Sequence, residues 1–293
     1  MPILRTLIIG LALALTLPAA AQGAKPAPER FLVALGDSYA TGYQVVAPGV
    51  ALNTRNGFAN QVPRLARRRG YRFNLVNFGC AGETTATLLQ RTAACGAPAV
   101  GGPGYAGSTQ LAAAEAFLRS NRRKLGLITV SIGGNDVTAC ARAIDPIGCV
   151  TGAVGQLREN VGAIAARLRA AAGRKVRIVG ITYPDVILGQ YVGVDANPDL
   201  ARLSVVAFKH LINPALAAAY ASARARLVDV TAATGAYGSL EEQTLLAPYG
   251  LIPVPVARVC RLTYYCEFRD IHARTNGYEL IAKLIVKTLP KRR

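Results

Sequence analysis

Four residues of this sequence, Ser38, Gly82, Asn135 and His272, are of the types that together support a nucleophilic reaction. A serine hydroxyl is a weak nucleophile until a base accepts its proton, and histidine is the side chain suited to that task near neutral pH. Negative charge that develops on a carbonyl oxygen needs fixed donors, which backbone N–H groups beside glycine and the amide of asparagine provide. The chemistry that this set favours is acyl transfer.

Only one of the two histidines is placed to act as a base. His210 lies in an amphipathic stretch, "AFKHLIN", and we expect it at the surface or at a boundary. His272 lies in "CEFRDIHART" (266–275), a loop that precedes the last helical pattern, where a base can face a cleft. We therefore expect His272 to act.

The elements that position these residues follow from short apolar runs that alternate with helical patterns. Glycine-bounded apolar strands that alternate with helices indicate a parallel sheet covered on both faces, and right-handed crossovers then give a three-layer α/β/α sandwich. In such folds ligands bind at the carboxyl ends of the strands, where Ser38, Gly82 and Asn135 occur. The predicted strands are 31–35, 73–78, 127–132, 176–181 and 226–230.

Three longer stretches have helical patterns. Residues 156–172 and 276–289 are amphipathic, and the second closes the predicted domain. Residues 203–226 are also helical in pattern, but Pro214 lacks an N–H and predicts a kink or a new helix start there.

Four sequence blocks resemble those of the SGNH (GDSL) hydrolase superfamily, in the same order. They are "GDSYATG", "CAGETT", "GGND" and "DIHARTNGYELIA", and they span residues 36–282. The resemblance implies a flavodoxin-like α/β/α sandwich that hydrolyses carboxylic esters without a metal or cofactor. It implies that Ser38 is the nucleophile and His272 the base, and that the Ser38 and Gly82 N–H groups and the Asn135 side chain form the oxyanion hole.

Within that superfamily the pattern most resembles the secreted lipase-like esterases of actinobacterial type, which carry disulfides at similar places. One position departs from the family. Many members have an aspartate three residues before the histidine, whereas this sequence has Arg269 there and Asp270 two residues before. Either the Asp270 carboxylate or the backbone carbonyl of Arg269 orients His272, because geometry rather than spacing defines a triad.

Each site residue also has a structural interpretation. Ser38 is a possible helix N-cap, Gly82 suits a tight turn, and Asn135 could cap a helix that starts at Val137. We expect Asp37 to stabilise the turn rather than act as the triad acid, and Asp136 to be structural. The four blocks in order favour the catalytic interpretation. The glycine-rich loop "GGPGYAG" (101–107) is expected to be mobile and near the cleft.

The six cysteines form three neighbouring pairs along the chain, which predicts the disulfides Cys80–Cys95, Cys140–Cys149 and Cys260–Cys266. Free thiols and a zinc site are the alternatives, and zinc is disfavoured because the sequence has no C-x₂-C pair and only two histidines. Residues 1–21 resemble a secretory signal peptide, with Arg5 before a short apolar run and small residues at the end. We expect a linker at 22–30, one domain at 31–289, and a secreted protein without a membrane-spanning helix.

The net charge of +18 favours anionic partners such as lipid headgroups or acidic cell-wall polymers. Specific nucleic-acid binding is not expected, because the basic runs at 64–72, 119–124 and 291–293 lack interleaved aromatic residues. We expect a monomer whose partner is an ester substrate, either a lipid or an acylated small molecule. A polysaccharide O-acetyl esterase of the same fold and a basic, non-catalytic binding module are the alternatives.

Overall fold

The computed structural model describes residues 27–291. The predicted signal peptide and residues 22–26 of the predicted linker lie outside the described residues. The strands are β1 (Glu29–Gly36), β2 (Tyr43–Ala47), β3 (Val50–Asn53), β4 (Arg72–Asn77), β5 (Leu125–Ser131), β6 (Arg177–Ile181), β7 (Arg226–Val228), β8 (Gln243–Leu246) and β9 (Gly250–Pro253).

Five of these strands form one parallel sheet in the order β4-β1-β5-β6-β7. This is the flavodoxin-type order, in which the chain first builds one side of the sheet and then crosses to the other. The predicted three-layer fold is therefore confirmed. The direction of winding changes between β1 and β5, and ligand sites of such folds lie at that point.

The helices cover both faces of the sheet. They are α1 (Ser38–Thr41), α2 (Phe58–Ala66), α3 (Thr85–Gln90), α4 (Gln110–Ser120), α5 (Gly134–Thr138), α6 (Pro146–Ala172), α7 (Pro198–Ala207), α8 (Asn213–Ser222), α9 (Val230–Ala233), α10 (Val254–Leu262), α11 (Tyr265–Phe268) and α12 (Thr275–Lys287). Single turns of 3₁₀ or π helix extend several of them.

Strand β1 shows how the two cores arise from period-2 alternation. Val33 and Leu35 belong to the core beneath α4, α6 and α8, while Leu32 and Ala34 belong to the core beneath α2 and α12. All four are fully buried, because successive side chains of a strand point to opposite faces. The strand begins at Glu29, two residues before the predicted start of the domain.

Helix α6 begins ten residues earlier than predicted, at Pro146. Residues 146–155 contain three glycines and no amphipathic pattern, so their sequence favours a helix only weakly. Two contacts stabilise the start of the helix despite this weak helix propensity. The Asp145 side chain accepts a hydrogen bond from the Gly148 N–H at 2.9 Å, and the Cys140–Cys149 disulfide ties the first turn to the preceding segment.

The predicted irregularity near Pro214 is a π-helical turn, Phe208–Ile212, that joins α7 to α8. Together they span Pro198–Ser222, the one helix among residues 27–291 long and apolar enough to cross a membrane by length and composition. These two properties are weak evidence for a span, and here Leu216 and Tyr220 are fully buried in the core beneath α6. We therefore interpret the helix as part of that core.

The chain also builds a third, smaller core that the sequence analysis did not anticipate. It lies beneath the antiparallel β8–β9 hairpin and helix α10, and Leu188, Val256 and Val259 are fully buried in it. Three disulfides join the neighbouring cysteine pairs: Cys80–Cys95, Cys140–Cys149 and Cys260–Cys266.

Candidate active site

The turn that presents Ser38 is held by contacts that require glycine at its start. Gly36 has φ +130°, and a Cβ there would lie 1.8 Å from the Ser131 carbonyl oxygen of the neighbouring strand. The Gln110 side chain accepts a hydrogen bond from the Gly36 N–H at 2.7 Å and donates one to the Gly36 carbonyl at 3.1 Å. Ser38 follows as the first residue of α1 and is buried.

Asp37, rather than Ser38, is the N-cap of α1. Its Oδ1 accepts a hydrogen bond from the Tyr39 N–H at 2.9 Å, and its Oδ2 accepts one from the Tyr183 hydroxyl at 2.5 Å. Burial raises the pKa of Asp37 to about 7, although both hydrogen bonds act to lower it. Asp37 thus stabilises the turn, as its position beside the serine suggests.

A hydrogen bond from the Asn135 side chain joins the segments that carry Gly82 and Asn135. The Asn135 Nδ2 donates to the Glu83 carbonyl at 2.8 Å. Gly82 is exposed with φ +83°, and a Cβ at this position would meet no atom within 4 Å, so its backbone faces open space. Asn135 does not cap a helix that starts at Val137, because α5 already begins at Gly134 with Gly133 as its N-cap.

Asp136 has the structural role expected of it. Its carboxylate accepts hydrogen bonds from both the backbone N–H and the hydroxyl of Thr85 at the start of α3. Asp136 therefore fixes the segment after β4 to the segment after β5, and these two segments carry Gly82 and Asn135.

His272 forms a short contact with an acid. Its Nδ1 lies 2.8 Å from Asp270 Oδ1, which also accepts the His272 backbone N–H at 2.9 Å. Partial burial acts to raise the pKa of the Asp270 carboxyl, but its hydrogen bonds to His272 and the nearby imidazole charge together hold it below the usual range. Asp270 is therefore the ionised partner of the ring.

Tyr39 and Gln44, which follow Ser38 in the chain, bind the backbone on either side of His272. The Tyr39 hydroxyl donates to the Ile271 carbonyl at 2.7 Å, and Gln44 Nε2 donates to the Ala273 carbonyl at 3.2 Å. The Tyr43 ring packs on the imidazole, with ring centroids 4.5 Å apart. These three contacts were not predicted from the sequence. The one sequence signal for them is Gln44, a polar residue within the apolar run "YQVVA" (43–47).

Ser38 and Asn135 line a common cleft, together with Ile271 from the histidine loop. Gly82 and His272 are not among its lining residues. His272 directly follows Ile271, which lines the cleft, and Gly82 directly precedes Glu83, whose carbonyl binds Asn135. The rest of the cleft wall is mainly apolar and comes from α5, α6, α7 and the 3₁₀ turn after β6. It includes Val137, Ile147, Val150, Ile187, Leu200 and Leu203.

The glycine-rich loop 101–107 does not line this cleft. Tyr105 is buried, and Gly102 approaches the Asn77 carbonyl so closely that a Cβ would lie 2.3 Å from it. Tyr105 and Gly102 therefore anchor the loop to the domain, and the loop does not lie in the cleft wall as expected, although Gly101, Gly104 and Gly107 are exposed. Among residues 27–291, no group of three or more His, Cys, Asp or Glu is arranged to hold a metal ion.

Several solved structures are similar to this chain. A lipase from a goat rumen metagenome shares 16% identity over 90% of this chain and 99% of its own, with a TM-score of 0.53. An extracellular lipase from Streptomyces rimosus shares 18% identity over 88% of this chain and 98% of its own, with a TM-score of 0.46. An acetylxylan esterase from Geobacillus stearothermophilus shares 15% identity over 90% of this chain and 95% of its own, with a TM-score of 0.49. No curated protein matches the chain.

The sequence itself gives the assignment. Residues 34–280 match the family model described as the GDSL-like lipase/acylhydrolase family, and this range includes Ser38, Gly82, Asn135 and His272. The match covers most of the chain and all five strands of the main sheet except the start of β1. The chain belongs to the GDSL-like lipase/acylhydrolase family and is a carboxylic-ester hydrolase.

Proposed function

We propose that the protein is a secreted lipase-like esterase in which Ser38 attacks the ester carbonyl and His272 accepts the serine proton. The observation that carries this proposal is the 2.8 Å contact between His272 Nδ1 and Asp270. An ionised carboxylate only accepts hydrogen bonds, so the proton of the neutral ring resides on Nδ1 and Nε2 is free to accept another. This is the state that a general base needs.

The oxyanion that forms in this step has three proposed donors, the backbone N–H groups of Ser38 and Gly82 and the Asn135 side chain. The N–H of Ser38 lies at the start of α1, where helix N–H groups lack internal partners. Asn135 Nδ2 has two protons, and its hydrogen bond to the Glu83 carbonyl uses one. The second remains available for the substrate oxygen.

The reaction then proceeds in two steps with one proton carrier. His272 donates the proton taken from Ser38 to the leaving alcohol, and the acyl group stays on the Ser38 oxygen. Water then attacks the acyl-enzyme while His272 accepts a proton from it, and that proton returns to Ser38 as the carboxylic acid leaves. The residues of this chain account for each proton.

The apolar cleft beside Ser38 supports an acyl group of medium or long chain as the substrate. Its walls carry aliphatic side chains, including Ile147, Leu200 and Leu203, and few polar groups. Burying each methylene of an acyl chain contributes about 0.8 kcal/mol to binding, so an octanoyl ester should bind in this cleft far more tightly than an acetyl ester. Three disulfides support secretion, because such bonds persist mainly in oxidising compartments.

The test is hydrolysis of nitrophenyl esters from acetyl to palmitoyl by the mature protein. We expect turnover to peak at medium or long chains, and Ser38→Ala and His272→Ala each to lower kcat by about four orders of magnitude. Ser239→Ala and His210→Ala change exposed residues of the same types and are the matched controls.

Two results would contradict the proposal. Near-normal turnover by Ser38→Ala or His272→Ala would remove these residues from the mechanism. A sharp preference for acetyl esters would instead support the alternative, an esterase that removes O-acetyl groups from polysaccharides.

A further inference from the structure

Arginine and lysine residues are concentrated at the edge of the sheet where the strands begin. Because the five strands are parallel, their first residues lie along one edge, and the cleft lies at the other. The connections that enter β4, β5, β6 and β7 are residues 67–72, 122–124, 174–177 and 224–226. They hold twelve Arg and Lys residues and no Asp or Glu. We call these four connections the basic edge.

The charges of the basic edge are exposed and largely unpaired. Ten of the twelve side chains are exposed, and within residues 27–291 only Arg72 forms an ion pair, with Glu29. Burial lowers the pKa of Arg177, and the neighbouring charge of Arg226 lowers it further. Arg177 and Arg226 are thus close enough to repel each other, which costs stability.

Helix dipoles account for only part of this charge. The carboxyl ends of α2, α4, α6 and α8 meet the same edge, and Arg122 donates to the Ala170 and Ala171 carbonyls there. Each helix end is equivalent to about half a negative charge, so four ends offset about two of the twelve. Most of the positive charge therefore has no counterpart in the described part of the chain.

The shape of the basic edge suits a flat surface. Neighbouring strands lie about 4.8 Å apart, so five strands spread the connections over about 19 Å. Within residues 27–291, none of the exposed large apolar side chains belongs to these connections, so the edge has nothing to insert into an acyl layer. A wide array of cations without apolar anchors matches a layer of anionic headgroups.

We propose that the basic edge docks on the surface of an anionic lipid bilayer and holds the enzyme with its cleft facing away from that bilayer. Each Lys or Arg near such a surface strengthens binding by about fivefold, so several together give a stable but salt-sensitive contact. The enzyme then takes its ester from the surrounding solution. This proposal does not depend on the identities of the catalytic residues.

The experiment compares two variants that lose the same net charge. The first carries Arg67→Gln, Arg68→Gln, Arg174→Gln and Lys175→Gln, four exposed cations of the basic edge. The matched control carries Arg55→Gln, Arg158→Gln, Lys209→Gln and Arg261→Gln, four exposed cations elsewhere. Binding is measured by co-sedimentation with vesicles of phosphatidylglycerol and phosphatidylcholine, and with phosphatidylcholine alone.

We expect the first variant to bind the anionic vesicles about 600-fold more weakly, about fivefold for each of the four lost cations, and the control to stay within about threefold of the parent protein. Equal losses in the two variants would show that only net charge matters and would overturn the proposal. Binding to soluble polyphosphate without binding to vesicles would overturn it too.

Orientation is tested by turnover of a water-soluble nitrophenyl ester. We expect vesicle-bound protein to retain at least about half of its free turnover, because the cleft faces solution. A loss of more than about tenfold on binding would place the cleft against the bilayer and overturn the orientation. If the free protein showed no turnover, the proposed function would fail while the vesicle measurement still tested the basic edge.

Discussion

Asp270 contacts the ring of His272 although it lies only two residues before it in the chain. One carboxylate oxygen of Asp270 accepts two hydrogen bonds from His272. Oδ1 accepts both the backbone N–H and the Nδ1–H of His272, which is the geometry of an aspartate that bonds two residues ahead. Arg269 makes the turn possible, since its φ of +54° is left-handed and its guanidinium donates to the Gly189 and Val192 carbonyls. The acid thus occupies a position different from the one common in the family.

Asp270→Asn tests this arrangement. The amide can present its NH₂ to Nδ1, which favours the wrong ring tautomer, and we expect kcat to fall by about a hundredfold or more with KM within about twofold. Steady-state kinetics on an octanoyl ester measure both constants, and Asp195→Asn, an exposed acid, is the control. A loss below about tenfold would assign the orienting role to a backbone carbonyl.

Asp185 makes stability depend on pH. It is fully buried and accepts a hydrogen bond from the Ser204 hydroxyl at 2.9 Å. Burial raises the pKa of its carboxyl to about 7. Between pH about 4 and about 7 the unfolded chain has released this proton while the folded chain retains it, so the free energy of unfolding falls as the pH rises.

We expect Asp185→Asn to reduce that fall by about 1–3 kcal/mol, because the amide stays neutral at every pH. Urea unfolding at pH 4.5 and 7.5 gives the free energy of unfolding at each pH, and the difference between the two values is compared. A loss of stability that the substitution causes equally at both pH values cancels in this difference. Asp195→Asn provides the comparison, and a fall equal to that of the parent protein would contradict the prediction.

At the scale of elements, two glycines with opposite surroundings test how the strand end and the longest helix are built. Gly36→Ala places a Cβ against the Ser131 carbonyl and forces a left-handed backbone, so we expect a loss of more than about 3 kcal/mol or no folding. Gly155→Ala, in open space on α6, should stabilise by about 0.5–1 kcal/mol. Thermal unfolding reports both, and a folded, stable Gly36→Ala protein would refute the account of the turn.

Helix α7 offers a test of the acyl cleft. Ala207 is buried and lines it, so Ala207→Phe should fill space that a long acyl chain would occupy. We expect kcat/KM to fall about tenfold or more on palmitoyl esters and to stay within about twofold on acetyl esters. Ala221→Phe, on the exposed face of α8, is the control. Equal losses on both esters would mean that the cleft does not hold the acyl group.

The sequence predicted those elements whose patterns are local. All five sheet strands were found within about three residues, and the last one ends early because Asp229 turns to cap α9. The first ten residues of α6 were not found, because a side-chain cap and a disulfide rather than a helical pattern stabilise them. The third core was not found, because it joins Leu188 to Val256 and Val259, which are distant in the sequence. The same holds for the site. The four blocks are readable as motifs, whereas the bonds of Tyr39 and Gln44 to the histidine loop exist only in the folded chain.

At the scale of the whole molecule, acidic and basic residues lie at opposite ends of the strands. An acid follows the end of every strand of the main sheet: Asp37, Glu83, Asp136, Asp185 and Asp229. The basic edge precedes four of those strands. The molecule is therefore positive at the edge opposite the cleft, and its like charges there repel one another.

Salt should consequently stabilise the fold. Raising ionic strength from about 0.01 to about 0.1 M shortens the screening length from about 30 to about 10 Å, which weakens repulsion between the connections. We expect Tm to rise with salt, and to rise less in Arg174→Gln/Lys175→Gln than in the parent protein. Differential scanning calorimetry measures both, and a Tm that falls with salt would contradict the expectation.

The contacts between residues 38–44 and 271–278 join segments that are more than 200 residues apart, so the ribosome makes the first long before the second. Tyr39 binds the Ile271 carbonyl, Gln44 binds the Ala273 carbonyl, and the Tyr278 hydroxyl donates to the Tyr43 carbonyl. The proposed nucleophile is therefore made early and its base late, and a nascent chain carries Ser38 without a proton acceptor. If His272 is the base, as proposed, a nascent chain that has not yet reached residue 272 cannot use Ser38 as a nucleophile.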